Sequence, residues 1–266
     1  MFILKKAEEI SRQAIIENHM NPIQVATRHV SQGDGNYLLR IAHSLGQKER
    51  VGQRPKSGNP FLPYEEALYI ADIGPDHVCL LNKYPVIANH LLLITRHYEP
   101  QESLLTCGDI RAMTELLGQA DGLMFYNSGT VAGASQSHKH MQWVPRTLGE
   151  PTSQLPLEPG KEPLPFAHCW YPLPQLDTQS VYDCYRQALA ALQWREGLAY
   201  NLLLTRQWLL LVPRHQAAWQ QISINSLAFV GSFFVKDQQQ ADRLLKAGFA
   251  QALNAVSGWP AEHRPG

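Results

Sequence analysis

Apolar positions first recur at helical spacing at Ile10, Ala14 and Ile15, within a run of good helix formers, so residues 5–20 are predicted to form an amphipathic helix. That order is then lost. Residues 31–62 are polar and punctuated by glycine and proline, a loop pattern ending in Arg54-Pro-Lys56-Ser-Gly-Asn59-Pro60-Phe61-Leu-Pro63. Three short β-rich runs follow at 67–73, 77–83 and 90–96, the first two separated by the turn signal Gly74-Pro75-Asp76. Leu104, Leu105, Ile110, Met113, Leu116 and Leu117 return to helical spacing over 101–120, and 122–126 reads as another strand.

From Pro145 to Pro174 the chain carries eight prolines, a density that forbids an internal helix or a central strand. It is expected to be an irregular connection over the surface, separating a first half (1–150) from a second (177–266), with 151–176 between them. The second half resumes with a helix over 178–196, stopped by Gly197, and strands at 200–205, 208–212 and 227–235. Asp237 is placed to cap a closing helix that runs to about residue 256. Leu91-Leu-Leu-Ile-Thr-Arg96-His97 and Leu209-Leu-Leu-Val-Pro-Arg214-His215 are similar enough to hint at two related halves.

One stretch breaks the packing logic of the rest. Asn127-Ser-Gly-Thr-Val-Ala-Gly133-Ala-Ser-Gln136 is a polar loop of small residues that runs straight into Ser137-His138-Lys-His140-Met-Gln142-Trp-Val144. If 137–144 is a strand, His138, His140 and Gln142 share one face, roughly 6.5–7 Å apart, and Lys139, Met141 and Trp143 take the other. Three readings compete. Alternate histidines can ligate zinc, but a site needs three or four ligands and glutamine is a poor one. The pair can be structural, hydrogen-bonded in a half-buried strand. The third reading is nucleophilic attack on phosphorus: a neutral imidazole forms a phosphoramidate and splits one hard displacement into two. The attacking nitrogen must then be unprotonated, its partner nitrogen donating to a carbonyl or similar acceptor. On this reading His140 is the nucleophile, Gln142 donates to a phosphoryl oxygen, and His138 orients. Asn127, Ser135 and Gln136, with backbone N–H groups freed by Gly129 and Gly133, supply phosphate donors.

Composition narrows the partners. The 266 residues are 44% hydrophobic and 17% charged, enough for a real core, with 23 basic and 23 acidic side chains. A net charge of zero offers no field for nucleic acid or an anionic membrane. The four cysteines form no Cys-x-x-Cys pair and the N-terminus has no leader pattern, so reduced thiols in a cytoplasmic protein are expected. No apolar run approaches the roughly 20 residues of a membrane span.

The segment from Gly133 to Val144 resembles the signature of the histidine-triad superfamily in its transferase form, with glutamine in place of the third histidine. Within it, the chain is similar to the ATP adenylyltransferases, also called diadenosine tetraphosphate phosphorylases. Lys56-x-x-Asn59-Pro60-Phe61, Leu81-Asn82-Lys83-Tyr-Pro85, His90-x-Leu-Leu-Ile-Thr-Arg96, Tyr200-Asn201-Leu-Leu-Leu-Thr, Val212-Pro213-Arg214 and Ser223-x-Asn225-Ser-Leu…Gly231-Ser232…Lys236 carry the similarity in order. The resemblance implies an α+β, histidine-triad-like fold with an antiparallel-rich sheet, flanking helices and two related halves. It implies phosphorolysis of diadenosine tetraphosphate to ATP and ADP through an adenylyl group on His140. Substrate contacts are expected at Lys56, Asn82, Lys83, Asn127, Gly133, Ala134, Ser135, Gln136, Gln142, Asn225, Ser226, Leu227, Ser232 and Lys236. A divalent cation, Mg²⁺, is expected to travel with the polyphosphate, with no metal cage of the protein's own, and the chain is expected to act as a monomer. A hexose-1-phosphate uridylyltransferase also uses His-x-His-x-Gln, typically with prolines where Lys139 and Met141 stand. A non-catalytic nucleotide sensor is the rival of a different class.

Overall fold

The first helix, α1 (Phe2–Ile16), ends where Asn18 takes a left-handed conformation, φ 62°. The computed structural model describes residues 2–33, 35–42, 58–151, 155–160 and 163–259, so Arg54 and Lys56 lie outside the described residues. The loop expected from residue 31 is overturned at its start. β1 (Val25–Gln32) and β2 (Gly35–Ala42) form an antiparallel hairpin. Polar residues on β1 and a charge at Arg40 hide it in the sequence. Arg40 is nonetheless buried, donating to Ser232 Oγ and, at 2.5 Å, to the Leu148 carbonyl.

β3 (Tyr69–Ile73), β4 (His77–Leu81) and β5 (Leu91–Thr95) follow, each inside its expected range. Next comes α2 (Cys107–Gln119), whose Thr106 and Asp109 form a reciprocal capping box. β6 (Leu123–Asn127) and β7 (His140–Val144) flank the polar loop. The proline-rich stretch does more than cross the surface: Leu155, Leu157 and Phe166 are buried, and it contributes β8 (Cys169–Pro172) at a sheet edge, where proline is tolerated. α3 (Thr178–Ala191) is capped by Asp177. β9 (Ala199–Leu204) and β10 (Trp208–Arg214) precede a minor hairpin, β11 (Ala218–Trp219) and β12 (Ile222–Ser223). The strand expected at 227–235 is shorter, because Ser226–Val230 is a 3₁₀ turn ended by left-handed Gly231. Only β13 (Ser232–Val235) is extended. Asp237 caps as expected, but Gly248 at φ 101° divides the closing helix into α4 (Gln238–Ala247) and α5 (Phe249–Val256).

Eight strands form one sheet in the order β3-β4-β5-β7-β6-β9-β10-β8, with every pairing antiparallel. The seam between halves is the β6–β9 pairing, Asn127 opposite Asn201. β1, β2 and β13 make a second sheet in which β13 runs parallel to β2. Alternation along β7 sends Met141 and Trp143 to the face covered by α1, α2 and α3. His140 and Gln142 take the opposite face. There they lie between an apolar patch of Phe61, Val78, Leu80, Leu92 and Ile94 and the larger core under α4 and α5. β5 and β10, the two similar runs, are both strands of this sheet, yet their basic ends differ. Arg96 pairs at the surface with Asp72 at 2.8 Å, whereas Arg214 is buried. No helix is long and apolar enough to cross a membrane among the described residues.

Candidate active site

His140 is 3% exposed, with Nδ1 2.8 Å from the His138 carbonyl. A carbonyl only accepts, so the ring proton resides on Nδ1 and Nε2 keeps its lone pair. Burial lowers its pKa to about 4, against the opposing pull of the His138 carbonyl, so the ring is neutral at physiological pH. Its backbone is held as firmly. Gln101 Oε1 accepts from the His140 N–H at 2.8 Å, and Gln101 Nε2 donates to the carbonyls of Asn127 (2.8 Å) and His140 (3.2 Å). Gln101 has no sequence signal of its own; it stands in a turn and acts by contact across three segments.

His138 does not belong to β7, which begins at His140; it forms an isolated bridge to Pro100. Both its nitrogens are occupied. Nε2 donates to the Thr95 carbonyl (2.9 Å), with Thr95 Oγ1 also at 2.9 Å, and Nδ1 accepts from Asn59 Nδ2 at 2.7 Å. The Phe61 N–H donates to Asn59 Oδ1 at 2.9 Å, which fixes that amide's orientation. The Phe61 ring lies over both imidazoles, centroids 5.3 Å from His140 and 5.7 Å from His138. His138 therefore has no ring nitrogen free to attack, which fits the orienting part expected of it. No cluster of three His, Cys, Asp or Glu side chains is placed to hold a metal among the described residues.

Gln142 Oε1 lies 2.9 Å from His90 Nε2, and His90 Nδ1 lies 3.2 Å from Asn82 Nδ2. The structure thus brings Asn82 to the site through His90, which the sequence offers as the start of a strand and of a segment of the family resemblance, with no role assigned. Lys83, next along, is ion-paired with Glu65 at the surface. Lys139 points away from the site, wholly buried against Asp109.

In the polar loop, Asn127 Oδ1 accepts from Asn201 Nδ2 (2.7 Å), Ser226 Oγ (2.7 Å) and the Ser226 N–H (3.1 Å), tying both halves together. The glycines serve a purpose other than the expected one. The N–H groups of Gly133 and Ala134 are used within the loop, by the carbonyls of Thr130 and Gly129. A Cβ on Gly133 would meet the Ile224 carbonyl at 2.7 Å, so the glycine permits close packing of the loop on the 224–225 turn. Ser135 is exposed and Gln136 half-buried, and neither side chain is hydrogen-bonded within the described residues. Asn225 Oδ1 accepts from the Leu227 N–H, capping the 3₁₀ turn. Ser232 is bound to Arg40 in the second sheet, and Lys236 is exposed beyond it. Beneath the loop, Arg214 donates to Asn201 Oδ1 and to the carbonyls of Ala132, Gln216, Ile224 and Val256, with no carboxylate among these partners. Burial lowers its pKa to about 9.

Comparison with known proteins covers nearly the whole chain. The family described as Ap4A phosphorylase N-terminal domain matches residues 2–161, and ATP adenylyltransferase C-terminal domain matches 162–258. Protein APA1 of Saccharomyces cerevisiae is 32% identical over 245 residues, 76% of each chain. Diadenosine 5',5'''-P1,P4-tetraphosphate phosphorylase 2 of the same yeast is 31% identical over 259 residues, 78% of each. The crystal structure of yeast Ap4A phosphorylase Apa2 superposes with a TM-score of 0.82 at 24% identity, covering 97% of both chains. The same enzyme in complex with Ap4A gives 0.78 at 25% identity, covering 96% of this chain and 97% of that one.

Proposed function

The chain belongs to the Ap4A phosphorylase and ATP adenylyltransferase family, and from that premise we propose that it is a nucleotidyltransferase converting diadenosine tetraphosphate and phosphate, reversibly, to ATP and ADP through an adenylyl group on His140. The fold is read as histidine-triad-like, with the nucleophile in the first half (1–150), the nucleotide site completed by the second (177–266), and 151–176 joining them.

The observation that carries this reading is the Nδ1 hydrogen bond of His140 to the His138 carbonyl, which leaves Nε2 as a buried, unprotonated nucleophile. Nε2 attacks the phosphorus nearest one adenosine. The N–P bond forms as the P–O bond to the outgoing ATP breaks, and that anion leaves without needing a proton. Nδ1 keeps its hydrogen, so the adenylylated ring is cationic and the His138 carbonyl faces that charge. An oxygen of inorganic phosphate then attacks the same phosphorus, the N–P bond breaks, and ADP forms with His140 restored. Gln142, uncharged at any physiological pH, suits an anionic leaving group and an anionic acceptor.

The substrate's charge is answered by Lys56, Lys83 and Lys236, with Mg²⁺ accompanying the polyphosphate. Asn82, Asn127, Gln142, Ser135 and Gln136 contribute neutral donors, Gly133 and Ala134 shape the loop around them, and the 225–227 turn and Ser232 complete the contacts. The test is product analysis with and without phosphate. ATP plus ADP formed only with phosphate is the expected result; ATP plus AMP, or two ADP, formed without phosphate would mean hydrolysis. His140→Ala should lose activity by a thousandfold or more, on the order seen when a nucleophile is removed.

A further inference from the structure

We infer that His90 is a positioning residue that holds the Gln142 amide with its oxygen turned to the His90 ring and its NH₂ turned towards the phosphoryl group. A glutamine amide is nearly symmetric in shape, so packing alone does not choose between presenting NH₂ and presenting oxygen. Here the choice follows from a donor that cannot reverse. The backbone N–H of Tyr84 points at Asn82 Oδ1, 3.0 Å away. An N–H only donates, so the atom facing it is the amide oxygen, and Asn82 Nδ2 is left to face His90 Nδ1 at 3.2 Å. An NH₂ also only donates, so His90 Nδ1 carries the lone pair and Nε2 carries the proton. Nε2–H then donates to Gln142 Oε1 at 2.9 Å, and Gln142 Nε2 is the end of the amide left over.

His90 is 9% exposed, its ring against that of Phe125 with centroids 5.9 Å apart, and burial keeps it neutral with a pKa of about 4. A neutral ring has one proton, so it transmits one polarity. Strand geometry supports the same assignment: Leu92 lies opposite Gln142 and Leu91 opposite Trp143, which sets His90 on the face of the sheet that carries His140. An independent chain from the second half has the same sense. The Arg214 guanidinium, another obligate donor, meets Asn201 Oδ1 at 2.5 Å, and Asn201 Nδ2 meets Asn127 Oδ1 at 2.7 Å, leaving Asn127 Nδ2 outward. An amide reversed at Gln142 would set a lone pair against phosphoryl oxygens, a repulsion in place of a hydrogen bond.

The inference rests on the proposed adenylyl transfer for its consequence, but the tautomer can be read without it. Long-range ¹H–¹⁵N spectra of the protein labelled with ¹⁵N-histidine should show His90 protonated on Nε2 and His140 on Nδ1. His90 protonated on Nδ1 would overturn the assignment, whatever the protein catalyses. In turnover, His90→Leu should lower kcat about tenfold or more, with KM changed less than about threefold, and without loss of AMP binding. His90→Gln, which returns a donor near the position of Nε2, should recover most of that loss. A folded His90→Leu enzyme with kcat within twofold of the unmodified protein, or His90→Gln no better than His90→Leu, would count against positioning. An unmodified protein that does not phosphorolyse diadenosine tetraphosphate would instead defeat the proposed function and leave the tautomer result standing.

Discussion

His140 donates its only ring N–H to the carbonyl of His138, two residues earlier in the same chain, at 2.8 Å. The acceptor and the ring it orients therefore sit on one short piece of backbone. That piece is clamped on one side by Gln101 and on the other by the buried Lys139 side chain.

The first prediction concerns pH and rate. Burial holds His140 near pKa 4, so its reactive neutral form is already saturated well above that value. The kcat/KM of phosphorolysis should show no histidine inflection near pH 6.5 and should fall only as pH approaches about 4. A rate that halves around pH 6.5 would mean that His140 is solvated in the working enzyme.

Stability should follow a different course. His90 and His140 have folded pKa values of about 4 against an ordinary 6.5, so between those values the unfolded chain binds more protons than the folded one. Folding is penalised as pH falls through that window, and the penalty is absent above about 6.5. The urea midpoint should drop steadily from pH 7 to pH 4.5; a constant midpoint would contradict the burial of both rings.

Lys139 should contribute strongly to stability. Its Nζ donates to Asp109 Oδ2 at 2.7 Å, Glu99 Oε2 at 3.0 Å and the Leu104 carbonyl at 3.0 Å, while His77 Nε2 meets Asp109 Oδ1 at 2.8 Å. Burial alone would raise the Asp109 pKa, but His77 and Lys139 outweigh it and hold the carboxylate at about 2. Lys139→Met leaves that buried carboxylate with only its His77 and Thr106 hydrogen bonds and should cost about 3 kcal/mol. Adding Asp109→Asn should return part of it, a comparison that thermal melting can make.

Gly133→Ala should separate the loop from the 224–225 turn. The new methyl would approach the Ile224 carbonyl to 2.7 Å at a residue whose φ is 92°. A loss of about 1–3 kcal/mol is expected, together with a raised KM for the dinucleotide. Unchanged stability would mean that the turn yields freely.

Asn59→Ala removes the donor to His138 Nδ1 and should lower kcat about tenfold while costing about 1 kcal/mol of stability. Steady-state kinetics beside urea unfolding would separate the two effects.

The strands and helices that carry the site were legible because their signals are local. β4, β5 and β6 are apolar runs, β7 alternates polar and apolar positions, and Asp237 caps the helix it precedes. That His140 and Gln142 share one face was also legible, since strand alternation places them there; His138, outside β7, owes its position to Pro100 and Thr95 instead. What stayed hidden depends on distant partners. β2 carries Arg40, whose charge reads as solvent-facing until Ser232 and Leu148 are brought beside it. Gln101 and His90 act only across strands, and no spacing in one chain announces that. Gly129 and Gly133 stand out in the sequence, but their N–H groups are bonded to the Asn127 and Thr130 carbonyls, and at Gly133 the closely packed group is the protein's own 224–225 turn.

The β6–β9 seam and the late arrival of β13 also bear on how the chain is made. A ribosome that has released the first half has released a sheet whose β6 edge is still unpaired, and a β1–β2 hairpin whose parallel neighbour has not yet been synthesised. His140 emerges before the Asn201 and Ser226 groups that secure the adjoining loop. Half-length products are thus exposed edges rather than half-active enzymes, and nascent chains depend on being completed, or shielded, before they meet one another.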